Sequence, residues 1–346
     1  MDQITGKANT RLLVGILIGL AVMVAVMAVV RLDVIGRKGN GLGKGFKYDI
    51  EELTRVDPAL IVYEESADAI ETGLAATHGI AVDSKGFIYV AADRAVRIFS
   101  DRGVILGEIE LAEPAGCLTV STDGNLFVGF KDHVEIYDAQ GQRQASWDSL
   151  GTNALLTSIA AQGDDVFVAD AGNRVVIRYD VSGNVLGHIG KKDSFRNVPG
   201  FVIPSPYFDL VVSRDGLLRV VNPGRRRVEA YTFEGDIEFW WGVSSVDIEG
   251  FCGCCNPVNI AVLPDGGYVT CEKGLVRVKV YDSEGQFAGV VAGPSQLVRE
   301  GECRVCDLPE ECQAGGFDVA VDAAGRVFVL DTIRNNVRIF TKIEGR

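Results

Sequence analysis

The chain has 346 residues, with 41 glycines, ten prolines, 8% aromatic residues and a net charge of −13. That length holds one large domain or two ordinary ones, and the glycine-rich, aromatic-poor mixture suits many short strands joined by tight turns. The acidic balance argues against a nucleic-acid binder.

Residues 1–11 form a short tail. The run "LLVGILIGLAVMVAVMAVV", Leu12 to Val30, is uncharged over 19 positions. It is long enough to cross a bilayer and longer than a signal-peptide core, with no cleavage site placed after it, so it predicts one transmembrane helix in contact with membrane lipid. Two basic residues precede it (Lys7, Arg11) and five follow (Arg31, Arg37, Lys38, Lys44, Lys47). That count leans towards a cytoplasmic body. A short tail before a single anchor leans the other way, and the body is expected to be extracytoplasmic.

Residues 31–57 read as a basic, Gly-rich linker. "GRKGNGLGKGFK" lacks the Gly-Lys-Ser/Thr ending and the preceding strand of a phosphate loop. Beyond residue 47 the chain carries 27 basic and 45 acidic side chains, so it should be repelled by anionic lipid and nucleic acid.

From residue 58 to the end a unit recurs six times, beginning at Gly79, Cys117, Ser158, Asp209, Asn259 and Asp318. Each unit is an apolar strand, a Gly turn, a second strand ending near an acid or Asn, a polar turn and a third strand. The first five add an Asp/Glu-Gly-type turn and a fourth strand. Four strands repeated six times predict an all-β, six-bladed β-propeller. The sixth unit stops after three strands, and "PALIVYEE", Pro58 to Glu65, is the spare strand that would complete it and close the ring.

The segments "VFVADAGNRVVIRYD" and "VFVLDTIRNNVRIF" resemble NHL repeats, and the resemblance spans residues 58–346. Asp93, Asp170, Glu272 and Asp331 match that family's acidic position after the second strand, while Lys131 and Asn222 depart from it. The resemblance implies the propeller fold. It leaves function open, because the family includes lyases, lactonase-like enzymes and interaction platforms.

Two insertions enter the last two blades on one face. Residues 243–258 contain "FCGCCNP" with Cys252, Cys254 and Cys255, and residues 294–317 contain "CRVCDLPEEC" with Cys303, Cys306 and Cys312. Cys271 ends the neighbouring second strand. Seven of the eight cysteines thus converge on blade five, which suggests one site: a zinc or iron–sulfur centre, a set of disulfides, or a redox dithiol. A cluster would favour a cytoplasmic body and disulfides an exported one.

The inner-strand positions nearest this face are Gly79, Cys117, Thr157, Asp209, Asn259 and Asp318, with His78 beside them. Asp209, Asn259 and Asp318 could hold calcium or polarise a substrate in the channel, or simply cap strand ends. Amidating lyases of the family hold zinc with channel histidines; His78 resembles that pattern, but His133 and His188 fall in a loop and an outer strand. In the outer strand of the fourth unit, Phe239, Trp240 and Trp241 read as packing between blades. The sequence therefore points to a membrane-anchored binding or electron-transfer module with a Cys-ligated centre, serving a membrane-associated redox complex through a protein partner. The alternatives are a lyase- or lactonase-type enzyme acting in the channel and a disulfide-stapled interaction platform.

Overall fold

The computed structural model describes residues 10–31, 50–66, 68–298 and 316–345, in two units, Met1–Asp49 and Ile50–Arg346. In the first unit Thr10–Arg31 is a helix of 22 residues. Its described side chains, 14–24, are all exposed. Among the described residues, no helix is long and apolar enough to cross a membrane. The expected span from Leu12 to Val30 therefore rests on the sequence.

The second unit is a six-bladed propeller. From channel to rim, the first blade is Thr77–Val82, Ile88–Ala92, Ala95–Phe99 and Ile105–Glu110. The second is Cys117–Val120, Leu126–Gly129, Val134–Tyr137 and Arg143–Ser146. The third is Leu156–Gln162, Asp165–Asp170, Val175–Asp180 and Val185–Ile189. The fourth is Leu210–Val212, Leu218–Asn222, Arg227–Tyr231 and Ile237–Trp241, and the fifth is Asn259–Val262, Tyr268–Glu272, Arg277–Tyr281 and Phe287–Ala292. Every pairing within these blades is antiparallel.

Position in the blade explains the residue patterns. Middle strands such as Ile88–Ala92 and Leu126–Gly129 are buried on both faces and read as continuous apolar runs. Outer strands such as Arg143–Ser146 are mostly exposed and mixed. The third-to-fourth-strand turns repeat one device. Asp138, Asp180 and Asp282 each accept backbone N–H groups two and four residues on, and Gly141, Gly183 and Gly285 then take positive φ (77°, 88° and 79°).

The sixth blade has three consecutive strands, Asp318–Val321, Val327–Asp331 and Asn336–Lys342. Its outer edge comes from the front of the propeller, with Tyr63–Glu65 pairing antiparallel to Phe340–Lys342. This is the closure predicted from "PALIVYEE", but Pro58–Leu60 is a 3₁₀ turn and the strand begins only at Tyr63. A second short strand, Ile70–Glu71, continues the same edge against Asn336 and Val337. Tyr63 is buried against Val291 and Phe340, and Arg338 forks onto Glu65 with contacts of 2.6 and 2.7 Å. The inner strands touch their neighbours all the way round, the sixth packing on the first. They enclose a channel cavity of about 600 Å³.

Because the fork spans the seam of the ring, Arg338→Ala should destabilise the full chain by about 1.5–3 kcal/mol, the range for hydrogen bonds to charged groups. Urea unfolding checks this. Lys342→Ala, which breaks an exposed 3.8 Å pair with Asp265, should cost less.

Candidate functional site

Each inner strand begins at the channel mouth, where its first residue meets the next blade. Thr157 donates its hydroxyl to the Phe208 carbonyl (2.6 Å), tying the third blade to the fourth. Asp209 accepts the Ile260 N–H (2.7 Å), tying the fourth to the fifth. Asn259 donates to the Phe317 carbonyl (2.6 Å), and Asp318 accepts the Ile80 N–H (2.9 Å), closing the sequence back onto the first blade. The other oxygen of each aspartate accepts the N–H of its own successor, Leu210 or Val319. The two remaining steps use packing: Gly79 lies against Cys117 and Leu118 of the second blade, and Gly116 and Gly129 lie against the Leu156 carbonyl and the Ile159 side chain of the third.

Burial pushes Asp209 up to about 6, and burial together with the Asp209 charge pushes Asp318 up to about 8. Burial, reinforced by these two carboxylates, also raises the thiols of Cys117 and Cys271, which stay protonated. The mouth is therefore a set of inter-blade latches.

The histidines do not converge. His78 lines the channel mouth with Nε2 2.8 Å from Asp93. His133 stacks on Phe130 beside Asp132, and His188 lies in the outer strand Val185–Ile189.

In blades three to six the residue at the acidic position after the second strand fastens the loop entering its blade, whereas Asp93 in the first bonds His78 of its own inner strand. Asp170 accepts the Leu155 N–H (3.0 Å), and Asn222, which replaces the acid, accepts the Val202 N–H (3.0 Å). Asp331 pairs with Arg334, whose Nη1 reaches the Leu297 carbonyl (2.8 Å). In the fifth blade Glu272 accepts the Cys252 N–H at 3.5 Å and is enclosed by two buried cations. Arg277 bonds Glu272 (2.6 Å) and the Val246 carbonyl (3.3 Å). Lys279 pairs with Glu272 and donates to the carbonyls of Ile248 (3.0 Å) and Gly250 (2.6 Å). Burial pushes Lys279 down to about 8 against the pull of Glu272. Sequence reading missed this cluster; its signal was "VRVKV", two cations on alternate positions of a middle strand.

The cluster holds the 243–258 insertion in place, and the cysteines then separate. Cys254 and Cys255 meet, with sulfurs 3.3 Å apart. Cys252 faces the charges of Arg277 and Glu272. Cys271 is buried in the core with Val258, Leu297 and Phe317, because alternate residues of a middle strand face blades on either side. Cys303, Cys306 and Cys312 lie outside the described residues. Among the described residues all cysteines are free thiols, and no group of three or more His, Cys, Asp or Glu is placed to hold a metal ion. The described donors thus do not make up a zinc or iron–sulfur ligand set.

The aromatic run of the fourth blade divides similarly. Trp241 packs between blades against Tyr268 and Tyr281, while Trp240 is exposed beneath the Arg227 guanidinium (4.6 Å).

No family model matches the chain, and no curated protein does. Solved structures do. A streptogramin B lyase is 11% identical with a TM-score of 0.57, covering 83% of this chain and 100% of its own. A catalytically inactive virginiamycin B lyase from Staphylococcus aureus with quinupristin is 14% identical (TM-score 0.55; 81% and 100% covered). The WD40 propeller domain of Doa1 is 15% identical (TM-score 0.52; 82% and 87% covered). At these identities the likeness is one of fold, and it groups the chain with β-propellers.

Two outcomes follow from the geometry. Asp209 and Asp318 bind protons more tightly when folded than an unfolded aspartate near pH 4 does, so their contribution is complete below about pH 4. It should be lost as pH rises through about 6 and about 8. Urea midpoints should fall across that window, and Asp318→Asn should flatten the fall; an unchanged slope would refute the assignment. Glu272→Ala leaves Arg277 and Lys279 buried without a counter-charge and should cost about 3–5 kcal/mol. It should also speed alkylation of Cys252, read by mass spectrometry.

Proposed function

We propose that this protein is a binding module without a catalytic centre of its own. In this reading it is an NHL-type propeller, anchored in a membrane by Leu12–Val30, lying on the extracytoplasmic side and engaging a protein partner. Its working face is the one bearing the entry loops, the channel mouth and the cysteines. One observation carries the reading: Thr157, Asp209, Asn259 and Asp318, the polar positions an enzyme would use, are all bonded to the backbone of the next blade. The same engagement weighs against a lyase- or lactonase-type reaction, or a calcium ion, at these residues. The lyases of similar fold supply a precedent for the architecture alone.

The NHL assignment rests on the repeated acid, which at Asp170, Glu272 and Asp331 acts on the entry loop of its own blade. The specialised form of the proposal is a zinc or iron–sulfur centre serving a membrane-associated redox complex. It would need Cys303, Cys306 and Cys312 to complete a set that Cys254 and Cys255 begin, and metal and sulfide analysis of anaerobically purified protein tests it.

For the module itself, a photo-crosslinker at Val243, exposed on the entry-loop face, is expected to give one discrete protein adduct in native membranes. The same probe at Ile105, exposed on the outer strand of the first blade, should not. Equal, diffuse labelling from both positions would overturn the proposal.

A further inference from the structure

The loop from Phe251 to Asn256 is pinned at both ends. Phe251 is fully buried, packs on Trp241 and Tyr281, and donates its N–H to the Val243 carbonyl (2.7 Å). Asn256 is 2% exposed and uses its whole amide: Nδ2 donates to the carbonyls of Cys252 (2.7 Å) and Lys273 (3.0 Å), and Oδ1 accepts the Lys273 N–H (2.9 Å). Gly253, at φ 80°, makes the bend between them. The loop therefore presents two adjacent thiols at a fixed spacing, Cys254 exposed and Cys255 buried, with sulfurs 3.3 Å apart.

That spacing selects among thiol chemistries. Adjacent residues joined by a trans peptide have Cα atoms about 3.8 Å apart, below the roughly 4.4–6.8 Å that a relaxed disulfide spans. The peptide bond fixes that separation, so an internal bridge is strained, and both cysteines are free thiols. With metal–sulfur bonds of about 2.3 Å, sulfurs 3.3 Å apart subtend about 90° at a shared centre. A tetrahedral zinc ion asks for about 109° and sulfurs about 3.8 Å apart, and a linear two-coordinate ion for about 4.6 Å. A near-right angle fits a trivalent, pyramidal metalloid; a square-planar ion would also take it but needs further donors, and among the described residues no group of three or more His, Cys, Asp or Glu is placed to supply them.

We propose that Cys254 and Cys255 form a bidentate site for trivalent arsenic, as arsenite or a monosubstituted arsenical, with both sulfurs on one arsenic atom. With an arsenical oxide, two As–S bonds form, the As–O bonds break, and the two thiol protons leave with that oxygen as one water. Arsenic stays trivalent and no electrons are transferred. Burial and the neighbouring Cys255 thiol raise the Cys254 thiol, which carries its proton in the free protein. The site stands on this pair alone; it is independent of the binding module proposed above and competes with that proposal's specialised metal-centre form, which would use the same two thiols.

The test is titration of the full chain, purified in mild detergent without oxygen, with phenylarsine oxide, followed by intact-mass and fragment analysis. One phenylarsine adduct with loss of water is expected between Phe251 and Pro257, released by an excess of a small dimercaptan. Cys254→Ser, at an exposed position, and Cys255→Ala should each cut its occupancy at equimolar reagent at least tenfold. Changing Cys303, Cys306 and Cys312 together to serine should leave it unchanged. Circular dichroism verifies that each variant is folded. An adduct that survives Cys254→Ser, one that maps only outside this loop, or a Cys254–Cys255 disulfide formed in air that blocks the reagent would each overturn the assignment.

Discussion

The structure depends on one requirement: a ring of separate sheets must satisfy the backbone at the start of each inner strand. There the inner strand is the edge of its sheet, with one side facing a narrow channel, where an unpaired N–H or carbonyl is costly. The solution is a side chain from the preceding blade. Asp209 serves Ile260, Asp318 serves Ile80, Thr157 serves Phe208 and Asn259 serves Phe317. The carboxylates at the mouth are thus committed to architecture. Burial raises both, and the Asp209 charge raises Asp318 further.

The fold was legible because its signals are local. Turn residues, strand alternation and the incomplete sixth unit all lie within short windows, and the missing strand could be placed within Pro58–Glu65, of which Tyr63–Glu65 pairs. Ile70–Glu71 was not legible, since two residues carry no period. The positions of Asp209 and Asp318 could be read from the repeat, but their work could not. Their partners lie 51 and 238 residues away, on blades that only the closed ring brings together. Cys271 exposes the same limit: the repeat put it near the insertion, and the alternation of a middle strand turned it into the core.

The fifth blade carries this logic furthest. Its insertion brings the carbonyls of Val246, Ile248 and Gly250 against the protein, away from water, where each needs a donor. One ammonium and one guanidinium meet several carbonyls at once, which neutral side chains of similar size could not do. Such cations need an anion, and Glu272 stands at the repeat position that in the third and fourth blades binds an entry-loop N–H. Buried ion pairs are weak sources of net stability, but they penalise every arrangement that leaves a charge alone. The insertion is thereby confined to one backbone path, with Phe251 beneath Lys279 and Asn256 clamped to Lys273. Fixed backbone means fixed sulfur spacing. A flexible "CGCC" loop would accept ions of any geometry, whereas a clamped one discriminates by the angle its two thiols subtend.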